Sequence, residues 1–344
     1  KEGFGDIRFR GEYPISKVQY RSDELPVEID LEAFSPFIPG ELEKSANPCT
    51  ILNYKIKNTS KKTIKVELAS WLENAVNPFE KDNAKGVRTV EMQNIKNRKT
   101  LFFASQSSDK SGVDRLEDQH GYGSMSLSLY KPTDQSNFAL NIGNSSSVES
   151  IFEAIAESDT GSYKQSQLSE VSLSALVEKI EIKPSEEREI TLILGWYFPY
   201  LNKLEEEKPS SQLNGMKDIK ELKLHYVNRF NSAEEVAAYI ADNFEMLAGT
   251  TRLWNRTWYD SSLPYWLLDR VFIALNCIAT NTLIWFDNNR LWGWEGVECC
   301  PGTCTHVWQY AQALAHIFPE AERNFREVTD LSDLGLNPDG SLRH

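Results

Sequence analysis

The residues whose types and spacing could do chemistry are concentrated between positions 285 and 318. Glu295 stands between Trp294 and Gly296, three residues after Trp292. A carboxylate flanked by indole rings is desolvated, which raises its pKa and suits it to general-acid work. The plainer alternative is a carboxylate bonded to its own loop backbone. Glycoside hydrolysis takes two carboxylates, about 5 Å apart where configuration is retained. The nearest in sequence, Asp287 and Glu298, have no context that makes either one the second member. The stretch therefore supplies half a pair at most. Trp292 and Trp294 alternate about Gly293, so both fall on one face of an extended strand. They form either a flat apolar platform for a sugar ring or part of a core. Thr305 and His306 stand at a helix start, where His306 could hydrogen-bond a ligand hydroxyl or a backbone group.

Cys299, Cys300, Cys304 and His306 invite a zinc reading, but their spacing is wrong for it. Structural zinc takes paired cysteines two to four residues apart and a second pair well downstream. Adjacent thiols point different ways and no second knuckle follows, so packing beneath a Gly-containing turn is expected instead. A Cys304–His306 nucleophile lacks the third group that would orient it. Phosphate loops, dinucleotide fingerprints and nucleophile elbows are absent from the sequence. No metal and no cofactor is expected.

These residues need elements to hold them. Asp287-Asn288-Asn289 reads as a tight turn joining 282–286 to 291–294, a small hairpin. Thr303 or Thr305 caps a helix that runs inward through Val307, Trp308, Ala311, Leu314, Ala315 and Phe318, and Pro319 ends it. Another helix starts at Glu320. Upstream, Ser232-Ala233-Glu234-Glu235 is a capping-box pattern, followed by Val236, Ile240, Phe244 and Leu247 on one helical face. A helix opening near Pro264 carries a broad apolar stripe from Leu267 to Ile278. From Pro14 to about Pro199 the period is two instead. Val27, Ile29, Leu31 and Ala33 alternate with acids, Leu52–Ile56 and Ile64–Leu68 flank a polar turn, and Ile190–Trp196 alternate again. Strands in series with no intervening helices predict an antiparallel β-sandwich. Residues 201–218 are charged, with Pro and Gly, and read as a linker. The predicted organisation is a sandwich over 1–200, a linker over 201–218 and a helical part over 219–344.

The 344 residues are 40% hydrophobic and 25% charged, which is ordinary globular composition. Nine Trp, 13 Tyr and 16 Phe make the chain rich in rings that stack on sugars and fill cores. A net charge of −13 argues against nucleic acid and anionic membrane surfaces as partners. No apolar run is long enough to span a bilayer. Five cysteines, two of them adjacent, are not a disulfide framework and favour a reducing, cytoplasmic setting. The sequence opens Lys1-Glu2-Gly3-Phe4 and closes on Gly340–His344, and both ends are expected to be cuts in a longer protein.

Five segments carry a family resemblance: GFGDIRFRGEYPISKVQY (3–20), LPVEIDLEAFSPFIPG (25–40), WLENAVNPF (71–79), LPYWLLDR (263–270) and LWGWEGVECCPGTCTHVWQYAQALAHIFPEAERNFRE (291–327). Together they resemble glycoside hydrolase family 116, that of the non-lysosomal, bile-acid-type β-glucosidases and their bacterial relatives. The resemblance implies an N-terminal β-sandwich followed by an (α/α)6 barrel, of which this chain holds only the first helices. It implies a retaining exo-β-glycosidase acting on β-glucosides, in some members glucosylceramide and in others xylosides. It places the nucleophilic Glu and the acid/base Asp downstream of the resembled segments. No residue here, Glu295 included, takes a catalytic role from it, and the rest of the catalytic domain becomes the expected partner. Substrate contacts are expected at Trp292, Trp294, Glu295, Thr305 and His306. The rival expectation is a non-catalytic carbohydrate-binding or interface module.

Overall fold

A computed structural model of the chain describes residues 3–78, 86–108, 115–119, 121–142, 148–157, 161–200, 223–280, 282–293, 313–333 and 335–342. The chain forms two units. The first comprises residues 1–35, 48–198 and 230–245; the second comprises 36–47, 199–229 and 246–344. The expected linker at 201–218 lies outside the described residues.

The first unit is built on two antiparallel sheets. The larger takes β1 (Asp6–Gly11), β2 (Ser16–Arg21), β3 (Val27–Phe34), β4 (Cys49–Asn58), β6 (Gly86–Ile95), β7 (Arg98–Ser107), β8 (Ser124–Tyr130), β10 (Tyr163–Gln167) and β12 (Glu187–Tyr197). Their order is β1-β2-β3-β4-β12-β8-β7-β6-β10. The smaller sheet runs in the order β5-β11-β9, with β5 at Ile64–Glu73, β9 at Asn137–Ala139 and β11 at Leu173–Ile182. The period-two pattern explains the core. Ile56, Val90, Leu101, Phe103, Leu127, Leu129, Ile190 and Leu192 of the large sheet meet Leu176 and Ile182 of the small one in a single buried cluster.

Two features depart from a plain run of strands. Helix α2 (Val148–Glu157) interrupts the series between β9 and β10. Val148, Ile151, Phe152 and Ile155 in VESIFEAIAE follow the helical period, which wins over the polar alternation around it. Helix α3 (Ala233–Asp242) also belongs to the unit that carries the sheets. It lies on the face of the large sheet turned away from the core. There Ser124 Oγ accepts from the Ala233 N–H at 2.9 Å, and Ser126 Oγ donates to the Ala233 carbonyl at 2.9 Å. Gly195 on β12 makes room for it, since a Cβ there would sit 2.7 Å from Ser126 Oγ and 3.2 Å from the Ala233 carbonyl oxygen. The alternating serines of β8 are buried beneath this helix rather than wet. Helix α3 opens as its sequence predicts, with Ser232 Oγ accepting from the Glu235 N–H at 3.3 Å. Val236, Ile240, Phe244 and Leu247 are all buried, but on two helices rather than one, since α3 ends at Asp242 and the next helix begins at Phe244.

The second unit holds the short helix α1 (Leu42–Ser45), most of α4 (Phe244–Tyr259), then α5 (Tyr265–Asn276), α6 (Ala313–Ile317) and α7 (Pro319–Asn324), which runs on into a π-helical turn at Phe325–Asp330. Pro319 is the first residue of α7 and so divides it from α6. In α6, Leu314 is buried as expected, while Ala315 is exposed. The segment 36–47 threads these helices. The Phe37 N–H donates to Thr251 Oγ1 at 3.0 Å, its ring meets Phe318 edge-on at 5.6 Å, and the Gly40 N–H donates to the Ile317 carbonyl at 2.8 Å. Strands β13 (Leu283–Trp285) and β14 (Leu291–Gly293) form a two-stranded hairpin in the same unit. Among the described residues, no helix is long and apolar enough to cross a membrane.

Candidate functional site

The hairpin turn forms as the Asp-Asn-Asn run predicts. Asn289 takes φ +68°, a left-handed conformation that Asn tolerates. The Phe286 N–H donates to the Arg290 carbonyl at 2.9 Å, and the Arg290 N–H donates to Asn288 Oδ1 at 3.1 Å. Register then fixes the faces. Ile284 is opposite Trp292, and Trp285 is opposite Leu291. The two indoles of the hairpin therefore point to opposite faces.

Trp292 is buried, with 4% of its surface exposed. The Arg290 guanidinium lies over its ring, 4.4 Å from the centroid, a cation–π contact in a desolvated place. Burial lowers the Arg290 pKa, and the nearby Asp330 carboxylate acts against that. Asp330 is itself buried, which pushes its pKa up against the Arg326 guanidinium bonded to it at 2.6 Å. Thr329 Oγ1 donates to the Leu291 carbonyl at 2.7 Å and ties β14 to the same turn. Strand β14, which precedes residues 294–296 in the chain, is thus held by a buried cation and a side-chain tether.

On the hairpin's other face, the His225 ring stacks on Trp285, with centroids 3.3 Å apart and planes 5° from parallel. His225 is buried. Burial, with the Arg229 charge beside it, lowers its pKa to about 4, while Asp287 pulls the other way. Glu43 Oε1 is 3.5 Å from His225 Nε2, and Glu43 also pairs with Arg229. Burial raises the Glu43 pKa, and Arg229 lowers it. Trp285 Nε1 donates to Asn289 Oδ1 at 3.0 Å and braces the turn.

Of the residues that the sequence singled out, Trp292 stands on β14 as described. Trp294, Glu295, Thr305 and His306 lie outside the described residues, as do Cys299, Cys300 and Cys304. Sequence reasoning missed the side chains around Trp285 and Trp292. Glu43 is far from His225 in sequence, and Asp330 is far from Arg290. Arg290, a cation two residues before an indole, was the one local signal. Among the described residues, no group of His, Cys, Asp and Glu is placed to hold a metal ion.

The family model for the N-terminal part of beta-glucosidase 2, glycosyl-hydrolase family 116, matches residues 3–247. The chain belongs to glycosyl-hydrolase family 116. The match covers the sheets and α3 of this family 116 chain and ends before the hairpin. No curated protein matches it. Among solved structures, it is similar to a protein assigned as a kojibiose phosphorylase from the human microbiome, at TM-score 0.30 and 10% identity, covering 70% of this chain and 25% of the other. It is also similar to heparan sulfate lyase HepC from Pedobacter heparinus, at TM-score 0.27 and 10% identity over 56% of this chain and 21% of that one. A third is a galactose mutarotase related enzyme from Lactobacillus acidophilus, at TM-score 0.26 and 8% identity over 56% and 71%. The family 116 chain spans a quarter or less of the first two. Likenesses this low carry no argument, and the assignment rests on the family match.

Proposed function

We propose that this chain is the N-terminal part of a retaining exo-β-glycosidase that hydrolyses terminal β-glucosides, with glucosylceramide-type glycolipids among its candidate substrates. The observation that carries the reading is the family 116 match across residues 3–247. On this reading, residues 1–200 are the sandwich domain, 201–218 a linker, and 219–344 the first helices of an (α/α)6 barrel. The change from two sheets to successive helices after residue 233 is the order such a protein needs. The nucleophilic Glu and the acid/base Asp come from outside these residues, so the chain alone has no turnover.

The hairpin's place in this scheme is to present substrate contacts. Trp292, held by Arg290 and by the Thr329 tether on its strand, stands two and three residues before Trp294 and Glu295, the substrate contacts of this reading. Thr305 and His306 complete the set of substrate contacts in this reading. No cofactor enters. The test is hydrolysis of an aryl β-glucoside by the intact enzyme, with the first-formed sugar followed by NMR. The expected product is the β-anomer. Initial release of the α-anomer, or no hydrolysis of any β-glycoside, overturns the reading.

A further inference from the structure

Alternation along β11 puts Leu176, Glu178, Ile180 and Ile182 on the inward face of the small sheet. Three of the four are apolar, and Leu176 and Ile182 lie in the sandwich core. Glu178 breaks the row. It is 3% exposed. Its Oε1 accepts from the Thr133 N–H at 3.0 Å, and its Oε2 is buried with no hydrogen-bond partner. A buried carboxylate oxygen without a donor is costly, and most such groups are satisfied.

Glu178 lines a cleft of about 510 Å³ in the same unit, bounded by residues 129–135, by 178–181 on β11 and by 188–190 on β12. That volume falls within the range of small-molecule sites, roughly 300–1,000 Å³. The walls are mixed: Leu129, Pro132, Ile180 and Ile190 are apolar, and Thr133 and Gln135 are neutral and polar. The cations of the lining are already engaged with carboxylates outside it. Lys131 pairs with Glu245 at 2.9 Å, Lys179 with Glu67 at 3.0 Å and Arg188 with Glu186 at 3.0 Å. Of the acids on the rim, Glu181 lies 3.5 Å from Lys65 and Glu189 lies 3.5 Å from Lys55, so the rim's charges are largely paired and select neither an anion nor a cation.

We infer that this cleft is a binding site for a neutral saccharide, one hydroxyl of which donates to Glu178 Oε2. The terminal torsion of a Glu side chain is broad, so turning the carboxylate toward the cleft is a small motion. The apolar walls take the C–H faces of the ring, and the hydroxyl supplies the donor that the buried oxygen lacks. The inference stands independently of the glycosidase reading, because it concerns a sheet-borne cleft and no bond-breaking step.

Calorimetric titration of the 344-residue chain tests it, with cellobiose and glucose as neutral probes and with glucosamine and glucuronate as charged ones. The neutral sugars are expected to bind. Glu178→Gln keeps the acceptor for Thr133 but replaces the second oxygen with a donor, and it is expected to weaken binding about tenfold or more, the loss of one hydrogen bond to a charged acceptor. Gln135→Trp, an exposed change that fills the cleft without touching Glu178, is expected to abolish binding while leaving the melting curve in place. No binding of either neutral sugar overturns the inference. So does binding that survives both substitutions, or tighter binding of a charged probe.

Discussion

At the scale of single residues, the hairpin's indoles are each held by a buried partner, one a cation and one a neutral ring. Arg290 lies against Trp292, and a neutral His225 lies against Trp285. Truncation of a buried Trp leaves a large cavity, so Trp292→Ala is expected to destabilise the unit by about 3–5 kcal/mol. A melting curve unchanged from the parent chain would contradict that. His225 yields a signed pH dependence. Its folded-state pKa of about 4 lies below the ordinary value of 6.5. Between those values the unfolded chain binds the proton and the folded chain does not, so stability is full above about 6.5 and falls as pH drops toward about 4. The raised pKa values of Glu43 and Asp330 act in the opposite sense, which makes the comparison with His225→Asn the informative one. Denaturation midpoints of that variant are expected to vary less across this window, and parallel curves would remove His225 as the cause. In the intact enzyme, Glu295→Gln is expected to weaken substrate handling without abolishing covalent turnover. Unchanged kinetics would take Glu295 out of the pocket.

At the scale of elements, periodicity made the regular pieces legible. The alternations at 27–33, 52–56, 64–68 and 190–196 became β3, β4, β5 and β12, and the Asp-Asn-Asn turn became the hairpin. The capping box at Ser232 opened α3 as read. What local pattern did not reveal was the partner of each face. The Ser124-Ser126-Ser128 row has the alternation of a wet strand face, yet it is buried because α3, distant in sequence, lies on it. Burial of that kind is set by tertiary contact, which period alone does not encode. The same holds for Glu43, His225 and Arg229, which meet only because the segment 36–47 threads the helices. The closeness of α3 to β12 gives a direct test. Gly195→Ala is expected to destabilise by about 1–3 kcal/mol through overpacking against Ser126 and Ala233. Ser232→Ala, which removes only the cap, is expected to cost about 1 kcal/mol. If Gly195→Ala were neutral in thermal unfolding, α3 would not lie this close to the sheet.

At the scale of the molecule, the described helices and the turn between α4 and α5 leave large apolar side chains in water. Trp266 is 69% exposed, and Leu253, Leu263, Tyr265 and Val271 are also exposed. Such a surface favours association. The chain is expected to self-associate in light scattering, and Trp266→Gln with Val271→Gln is expected to reduce it. Equal scattering from both proteins would mean that these two side chains are not the cause. The central claim is that these residues carry the sandwich and early helices of a family 116 enzyme without its catalytic carboxylates. The most direct measurement is intact mass after incubating the chain with a fluorinated, mechanism-based inactivator of retaining β-glucosidases. The account predicts an unmodified mass. A one-to-one covalent adduct would place a nucleophile within these 344 residues, with Glu295 the first position to map, and would contradict it.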